Sequence, residues 1–320
     1  MKIPVIAVVG PTASGKTALG VELAKQYDGE VVSADSMQIY KQLKIATARP
    51  SDDEMNGIAH HMIGFLDVDK KYSAALYCEQ ASKCISDIFS RNKLPILVGG
   101  TGLYVDSLLS GIDFSVQDED EDLRRSLNDE YDNFGGEYML KKLKAVDEPA
   151  AEITHANNKK RLIRFLELYM LTGKTMNERA AESKKNESDF EPLYICITCR
   201  DRQKLYDRIN SRVDKMMEDG LLDEVKRYYE YGNVATSSQA IGCKELKPYF
   251  DGECDLTECI ENLKKATRRY AKRQLTWFLR NDKIHLMFTD EMSKSDIIDE
   301  CKRLINDFLK GFEQYENKCV

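Results

Sequence analysis

Residues 10 to 17 read Gly-Pro-Thr-Ala-Ser-Gly-Lys-Thr, with the apolar run Ile3 to Val9 directly before them and a helical pattern from Lys16 to Tyr27 directly after. This G-x-x-x-x-G-K-[ST] phosphate loop constrains the chain more than any other feature. It works only where a buried strand delivers the backbone to a glycine turn at a helix N-terminus. Gly10, Pro11, Thr12, Ala13, Ser14 and Gly15 make the cradle for a diphosphate, with main-chain donors at Ser14 and Gly15. Lys16 adds a point charge at the outer phosphate, and the Thr17 hydroxyl is the expected protein ligand of a Mg²⁺ that neutralises the diphosphate.

The first hundred residues keep to the same grammar. Short β-type runs at Glu30 to Ala34 and Leu94 to Val98 alternate with helical patterns, notably Ser73 to Arg91, where Tyr77, Ala81, Cys84 and Ile88 recur at helical spacing. Strands joined by crossover helices predict an α/β fold, a three-layer parallel sheet of the phosphate-loop type. At Gln117 the composition changes to five consecutive acids, Asp118 to Asp122, and then to charged helical sequence as far as Ala180. Pro192 to Thr198 resumes as a core strand; the sequence beyond Arg202 is mainly helical, with one short strand near Ile284 to Phe288. The predicted organisation is a core of residues 1–115 and 190–320, interrupted by a helical insertion at 116–189.

Of the 320 residues, 42% are hydrophobic, enough for a real core, and no apolar run approaches the roughly 18 residues of a membrane span. Met1-Lys2-Ile3 leads straight into strand and loop, so no signal peptide is expected and the protein is assigned to the cytoplasm, away from membranes and as a monomer. Nine scattered cysteines without a framework read as reduced thiols. Cys196-Ile-Thr-Cys199 has metal-site spacing, but it lies in a β-branched run with no second pair, which favours strand packing. The net charge of −7 argues against a nucleic-acid partner until its distribution is considered. Between Thr257 and Arg280 seven basic residues stand against two acidic ones, a local +5.

A phosphate loop alone leaves the chemistry open. Asp35 falls at the end of the second strand, on the sheet edge where open α/β folds bind ligands. The strand Leu94 to Val98 ends in Gly99-Gly100-Thr101, lacking the acid that many phosphate-loop NTPases place at a strand end for Mg²⁺, and no Asn-Lys-x-Asp pattern is present. Nucleotide hydrolysis loses ground, although a small-molecule kinase using ATP on the same loop, or a non-catalytic RNA-binding protein on the same fold, would share these features.

Six segments taken together resemble the tRNA dimethylallyltransferase family. They are GPTASGKT at Gly10 to Thr17, SADSMQIY at Ser33 to Tyr40, His60-His61-Met62, LVGGTGLY at Leu97 to Tyr104, RINSRVDKM at Arg208 to Met216 and RQLTW at Arg273 to Trp277. They occur in the family's order, and the similarity runs from about residue 3 to about residue 312. The resemblance implies transfer of a dimethylallyl group from dimethylallyl diphosphate to the N6 amine of the adenine 3′ to the tRNA anticodon, so the expected partners are that diphosphate and the anticodon arm. A loop that holds diphosphate would then stabilise charge on the leaving group. One arginine of Arg208 and Arg212, four apart on a helix, would assist it. Asp35 is the expected general base for the amine, with a Mg²⁺ contact or strand cap as the other reading, and Thr101 resembles the residue that contacts the same adenine.

For the tRNA itself, which must present an everted base, the resemblance implies contacts at Ser36, Met37 and Gln38 around the target nucleotide. It implies further contacts at Arg124, Lys160, Arg161, Leu162, Ile163 and Arg164 in the insertion. The helix after Thr257 packs through Ile260, Leu263, Thr267, Tyr270, Ala271 and Phe278, leaving Lys264, Arg268 and Lys272 toward phosphates. The chain departs from the family's pattern at Gly64, which replaces an acid after His60-His61, at Lys160, and at Cys243 in Gly242-Cys243-Lys244. The tail after Phe288 carries no Cys/His zinc-finger pattern, which points to the bacterial-type form.

Overall fold

The apolar run before the phosphate loop is the centre of the sheet. In the computed structural model, which describes residues 2–111, 120–183, 188–232 and 236–312, Val5 to Val9 are completely buried. The core elements follow in chain order as β1 (Ile3–Val9), α1 (Lys16–Gln26), β2 (Gly29–Ser33), α2 (Asp52–Met55), β3 (His60–His61), α3 (Ala74–Ser90), β4 (Leu94–Gly99) and α4 (Gly102–Leu109). After them come α5 (Glu121–Val146), α6 (Glu148–Glu152), α7 (Lys159–Thr172) and α8 (Met176–Ser183). The chain then continues with β5 (Phe190–Thr198), α9 (Arg202–Glu218), α10 (Leu221–Glu230), a 3₁₀ turn (Thr236–Gln239), α11 (Cys243–Phe250), α12 (Leu256–Phe278), β6 (Ile284–Phe288) and α13 (Lys294–Leu309).

All strand pairs are parallel, in the order β3-β2-β4-β1-β5-β6. Alternation along β1 divides the core into two layers. Val5, Ala7 and Val9 pack with α3, α4 and α9 to α12, whereas Ile6 and Val8 pack with α1 and α13. Both faces are covered, so the strands read as continuous apolar runs, and a polar residue at any of these positions would forfeit about 1.5–3 kcal/mol of burial. The three-layer α/β expectation is met. Element limits agree within two residues except at β3, whose two residues are too short to leave a periodic signal.

The chain divides into two compact units, Met1–Leu109 with Asp189–Val320, and Ser110–Ser188. The predicted boundary at 115/116 lies outside the described residues. The smaller unit builds its own core from Leu127, Met139 and Leu143 of α5 and Leu162, Ile163 and Leu166 of α7. Asp147 ties it together, accepting from the Ala150 N–H at 3.1 Å and from the Met176 N–H at 2.6 Å. In the larger unit Cys196 is completely buried in β5, and burial pushes its thiol up to about 12.

Candidate active site

Parallel strands leave their carboxyl ends on one edge, and there the chain must turn. After β1 it does so at Gly10 (φ 138°), where a side chain would collide with the Ile197 carbonyl of the neighbouring strand, so only glycine fits. Gly15 then opens α1, putting Lys16 and Thr17 in its first turn. The loops after β1, β2 and β4 face helices α9 and α12 of the same unit across a cavity of about 320 Å³, within the usual range for small-ligand sites. Thr12, Lys16, Thr17, Asp35, Ser36, Met37, Gln38, Arg212, Tyr270, Arg273 and Gln274 all line it.

Lys16 reaches back to donate to the Pro11 carbonyl at 2.6 Å. Burial, and then the nearby Arg212 charge, hold its ammonium down to about 8, against a partial counterweight from Asp35. Arg212 is half-buried, its pKa lowered by desolvation, and it donates to Thr12 Oγ1 at 3.3 Å and to the Ala48 carbonyl at 3.4 Å. Neither cation forms a carboxylate salt bridge among the described residues, an arrangement suited to an anion. Ser14 Oγ, buried with no hydrogen-bond partner among the described residues, lies in the same loop.

Asp35 lines the same cavity, near enough to offset in part the lowered pKa values of Lys16 and Arg212. Its Oδ1 accepts from the Met37 N–H at 2.9 Å and the Gln38 N–H at 3.3 Å, an Asx-type turn that fixes the carboxylate, while Oδ2 takes no donor among the described residues. Thr101 Oγ1 accepts from the Ser36 N–H at 3.0 Å and stands 3.3 Å from Ser36 Oγ, so it braces the turn that carries Asp35. The predicted residues Asp35, Thr101, Lys16, Thr17, Ser36, Met37, Gln38 and Arg212 are thus brought to one place.

Arg208 is not among them. It is exposed and donates to Thr289 Oγ1 at 2.6 Å, because one helical turn along α9 carries it past the phosphate loop toward the end of β6. Arg212 is therefore the arginine of the pair on the cavity wall. The basic face of α12 is also partly spent. Lys264 is bridged to Asp214 at 2.8 Å and Glu261 at 3.2 Å, and Arg268 donates to Asn210 Oδ1 at 2.6 Å, leaving Lys272 exposed. In the smaller unit Leu162 and Ile163 are core residues, so their side chains have nothing to offer a nucleic acid. Arg124 and Arg164 both pair with the buried Glu167, at 3.0 and 2.9 Å, since an isolated interior carboxylate would be costly. Lys160 and Arg161 remain on the surface.

Sequence reasoning passed over the opposite wall. Gln274 bridges the cleft, accepting from the Thr12 N–H at 2.9 Å and donating to the Gly100 carbonyl at 3.0 Å; a side chain at Gly100 would displace its amide. Tyr270, its phenol raised above the ordinary range by burial and by Asp35, stands beside Thr101 and Gln274. The signal was available in Arg273 to Trp277, whose glutamine is the one polar residue buried on an otherwise apolar helix face.

This is a phosphate-loop α/β protein whose single cavity brings together the loop, two half-buried cations and an oriented carboxylate. The family model described as IPP transferase matches residues 38–282. A tRNA dimethylallyltransferase of Thermoanaerobacter sp. (strain X514) is 42% identical over 97% of this chain and 99% of its own, and one from Acetivibrio thermocellus is 46% identical over 92% and 94%. The crystal structure of a tRNA isopentenylpyrophosphate transferase from Bacillus halodurans superposes with a TM-score of 0.72 at 40% identity, covering 99% of this chain and 98% of that one. A eukaryotic dimethylallyltransferase captured acting on tRNA gives 0.83 at 30% identity, covering 97% and 80%. The chain belongs to the IPP transferase family, in the branch whose curated members are tRNA dimethylallyltransferases.

Proposed function

We propose that the protein transfers a dimethylallyl group from dimethylallyl diphosphate to the N6 amine of the adenine 3′ to the anticodon in tRNA, releasing diphosphate. The observation that carries this reading is that Lys16, Arg212 and the phosphate loop line a single cavity together with Asp35, whose Oδ2 takes no donor among the described residues. The C1–O bond of the allyl diphosphate breaks while the C1–N6 bond forms. The departing oxygen's negative charge falls to Lys16, Arg212 and the loop amides, which bind it more strongly as it develops. The adenine amine is a poor nucleophile because its lone pair is conjugated with the ring; its surplus proton passes to Asp35 Oδ2, which the Met37 and Gln38 amides hold in place through Oδ1. Thr101 and Ser36 fix the same turn against the base.

Mg²⁺ fits this donor set. The cavity offers hard oxygen ligands at Thr17 and Asp35, and among the described residues no group of three or more His, Cys, Asp and Glu could cage a metal unaided. Thr17 would hold the cation from the protein side, and the cation would supply charge neutralisation at the diphosphate. Lys160 and Arg161 are the exposed cations proposed for the anticodon arm, with Lys272 on the larger unit. Among the described residues no helix is long and apolar enough to cross a membrane.

The kinase alternative finds no support in the relatives compared, which carry the transferase name. The deciding experiment incubates the purified protein with Mg²⁺, tRNA and radiolabelled dimethylallyl diphosphate, and separately with labelled ATP. Label is expected on tRNA and no phosphoryl transfer from ATP. Consumption of ATP with unlabelled tRNA would overturn the proposal.

A further inference from the structure

Residues 43–48 form the lip that follows β2, and Ala46, Thr47 and Ala48 line the cavity. Three successive amides in this lip converge on one point outside the cavity. Glu224 of α10, 6% exposed, fills that point. Its Oε2 accepts from the Lys44 N–H at 2.9 Å and the Ile45 N–H at 2.9 Å, and its Oε1 accepts from the Ile45 N–H at 3.0 Å and the Ala46 N–H at 2.8 Å. Consecutive N–H groups aimed at one centre make an anion-binding nest, here occupied by a carboxylate from the same chain. The peptides that turn the Ile45 and Ala46 N–H groups to Glu224 carry the Lys44 and Ile45 carbonyls on their other side; these accept from the Arg49 N–H at 3.0 Å and the Ala48 N–H at 2.8 Å, which sets the direction of the Ala48 and Thr47 carbonyls in turn. The Thr47 and Ala48 oxygens accept from Gln38 Nε2 at 3.3 and 3.2 Å, and Ala48 also accepts from Arg212 Nη2 at 3.4 Å.

We infer that Glu224 is a positioning residue for diphosphate binding, acting through the 44–48 lip to orient Arg212 from outside the cavity. Glu224 touches no reacting atom. It fixes the peptide orientation that gives Arg212 its second anchor, the first being Thr12 Oγ1 of the phosphate loop. Without the carboxylate, three amides lose their acceptor, the lip rotates to satisfy them elsewhere, and the guanidinium is held from one side only. This inference rests on the diphosphate reading of the cavity given above.

A double-mutant cycle on inorganic pyrophosphate affinity, read by calorimetry on the full chain, tests it. E224Q keeps the shape but replaces one acceptor oxygen with a donor. It is expected to weaken pyrophosphate at least about fivefold, and R212A to weaken it more. The decisive result is the pair: E224Q added to R212A should cost no more than about twofold, because the interaction that Glu224 supports is already gone. Additive losses, or an E224Q protein with a lower melting temperature but unchanged pyrophosphate affinity, would overturn the linkage and leave Glu224 a purely structural cap. E224D, which keeps the charge but draws it back by one methylene, carries the same cycle if E224Q does not fold. Wild-type protein that binds no pyrophosphate would sink the diphosphate reading itself and this inference with it; wild-type binding that E224Q leaves intact would sink the inference alone.

Discussion

One wall of the cavity is the edge of the sheet, where the loops after β1, β2 and β4 bring main-chain groups and an Asx turn to the ligand; the other is α9 with α12, which reach it by side chains alone. The difference shows how each wall is written in the sequence. A backbone cradle needs glycine at fixed spacing and a strand and helix on either side, so it leaves a contiguous motif. A helical wall needs one suitable residue per turn, and Arg212, Tyr270 and Gln274 sit in sequence that any amphipathic helix could have. The comparison also assigns labour. In the proposed reaction the sheet edge holds both ends, whereas α12 clamps the loops after β1 and β4 together through Gln274.

The largest effect is expected on the sheet edge. Asp35→Asn should lower turnover at least about a hundredfold while pyrophosphate affinity stays within about twofold, since the amide keeps the turn but cannot take the proton; near-normal turnover would remove Asp35 from the base role. The helical wall comes next. Arg212→Ala should weaken pyrophosphate by about ten- to a hundredfold, the range for a lost bond to a charged group, with Arg208→Ala changing it less than about threefold. Equal losses in the two variants would erase the distinction between the inner and outer arginine of α9. The smallest effect is a slope. Lys16 loses its proton near 8, below its ordinary 10.5, and a bound diphosphate favours the charged form. Binding then takes up a proton wherever the free protein has lost one, so affinity for an alkyl diphosphate should be flat below about pH 8 and fall by up to about tenfold per unit above it. A flat profile to pH 9.5 would place Lys16 outside the anion site.

Much of the sheet wall was legible. β1, the loop and α1 announce themselves together, and Asp35 and Thr101 could be placed because strand ends in a parallel sheet share an edge. The helical wall was not. Two arginines four residues apart look equivalent on a wheel, and only the position of Thr289 separates Arg208 from Arg212. Lys264 and Arg268 looked free because their partners Asp214 and Asn210 lie on α9, about 50 to 60 residues away in sequence. Leu162 and Ile163 illustrate the opposite error. Their segment resembles a tRNA-contact stretch, yet the fold buries both side chains in the core of the smaller unit.

The placement of β4 between β1 and β2 has one last consequence. Neighbouring strands lie about 4.8 Å apart, so the phosphate loop and Asp35, two strands removed, are held roughly 10 Å apart along the sheet edge. That interval matches a diphosphate followed by a single bond-forming carbon and the amine that attacks it. For the proposed reaction, strand order serves as a gauge between the reacting atoms, set by main-chain hydrogen bonding.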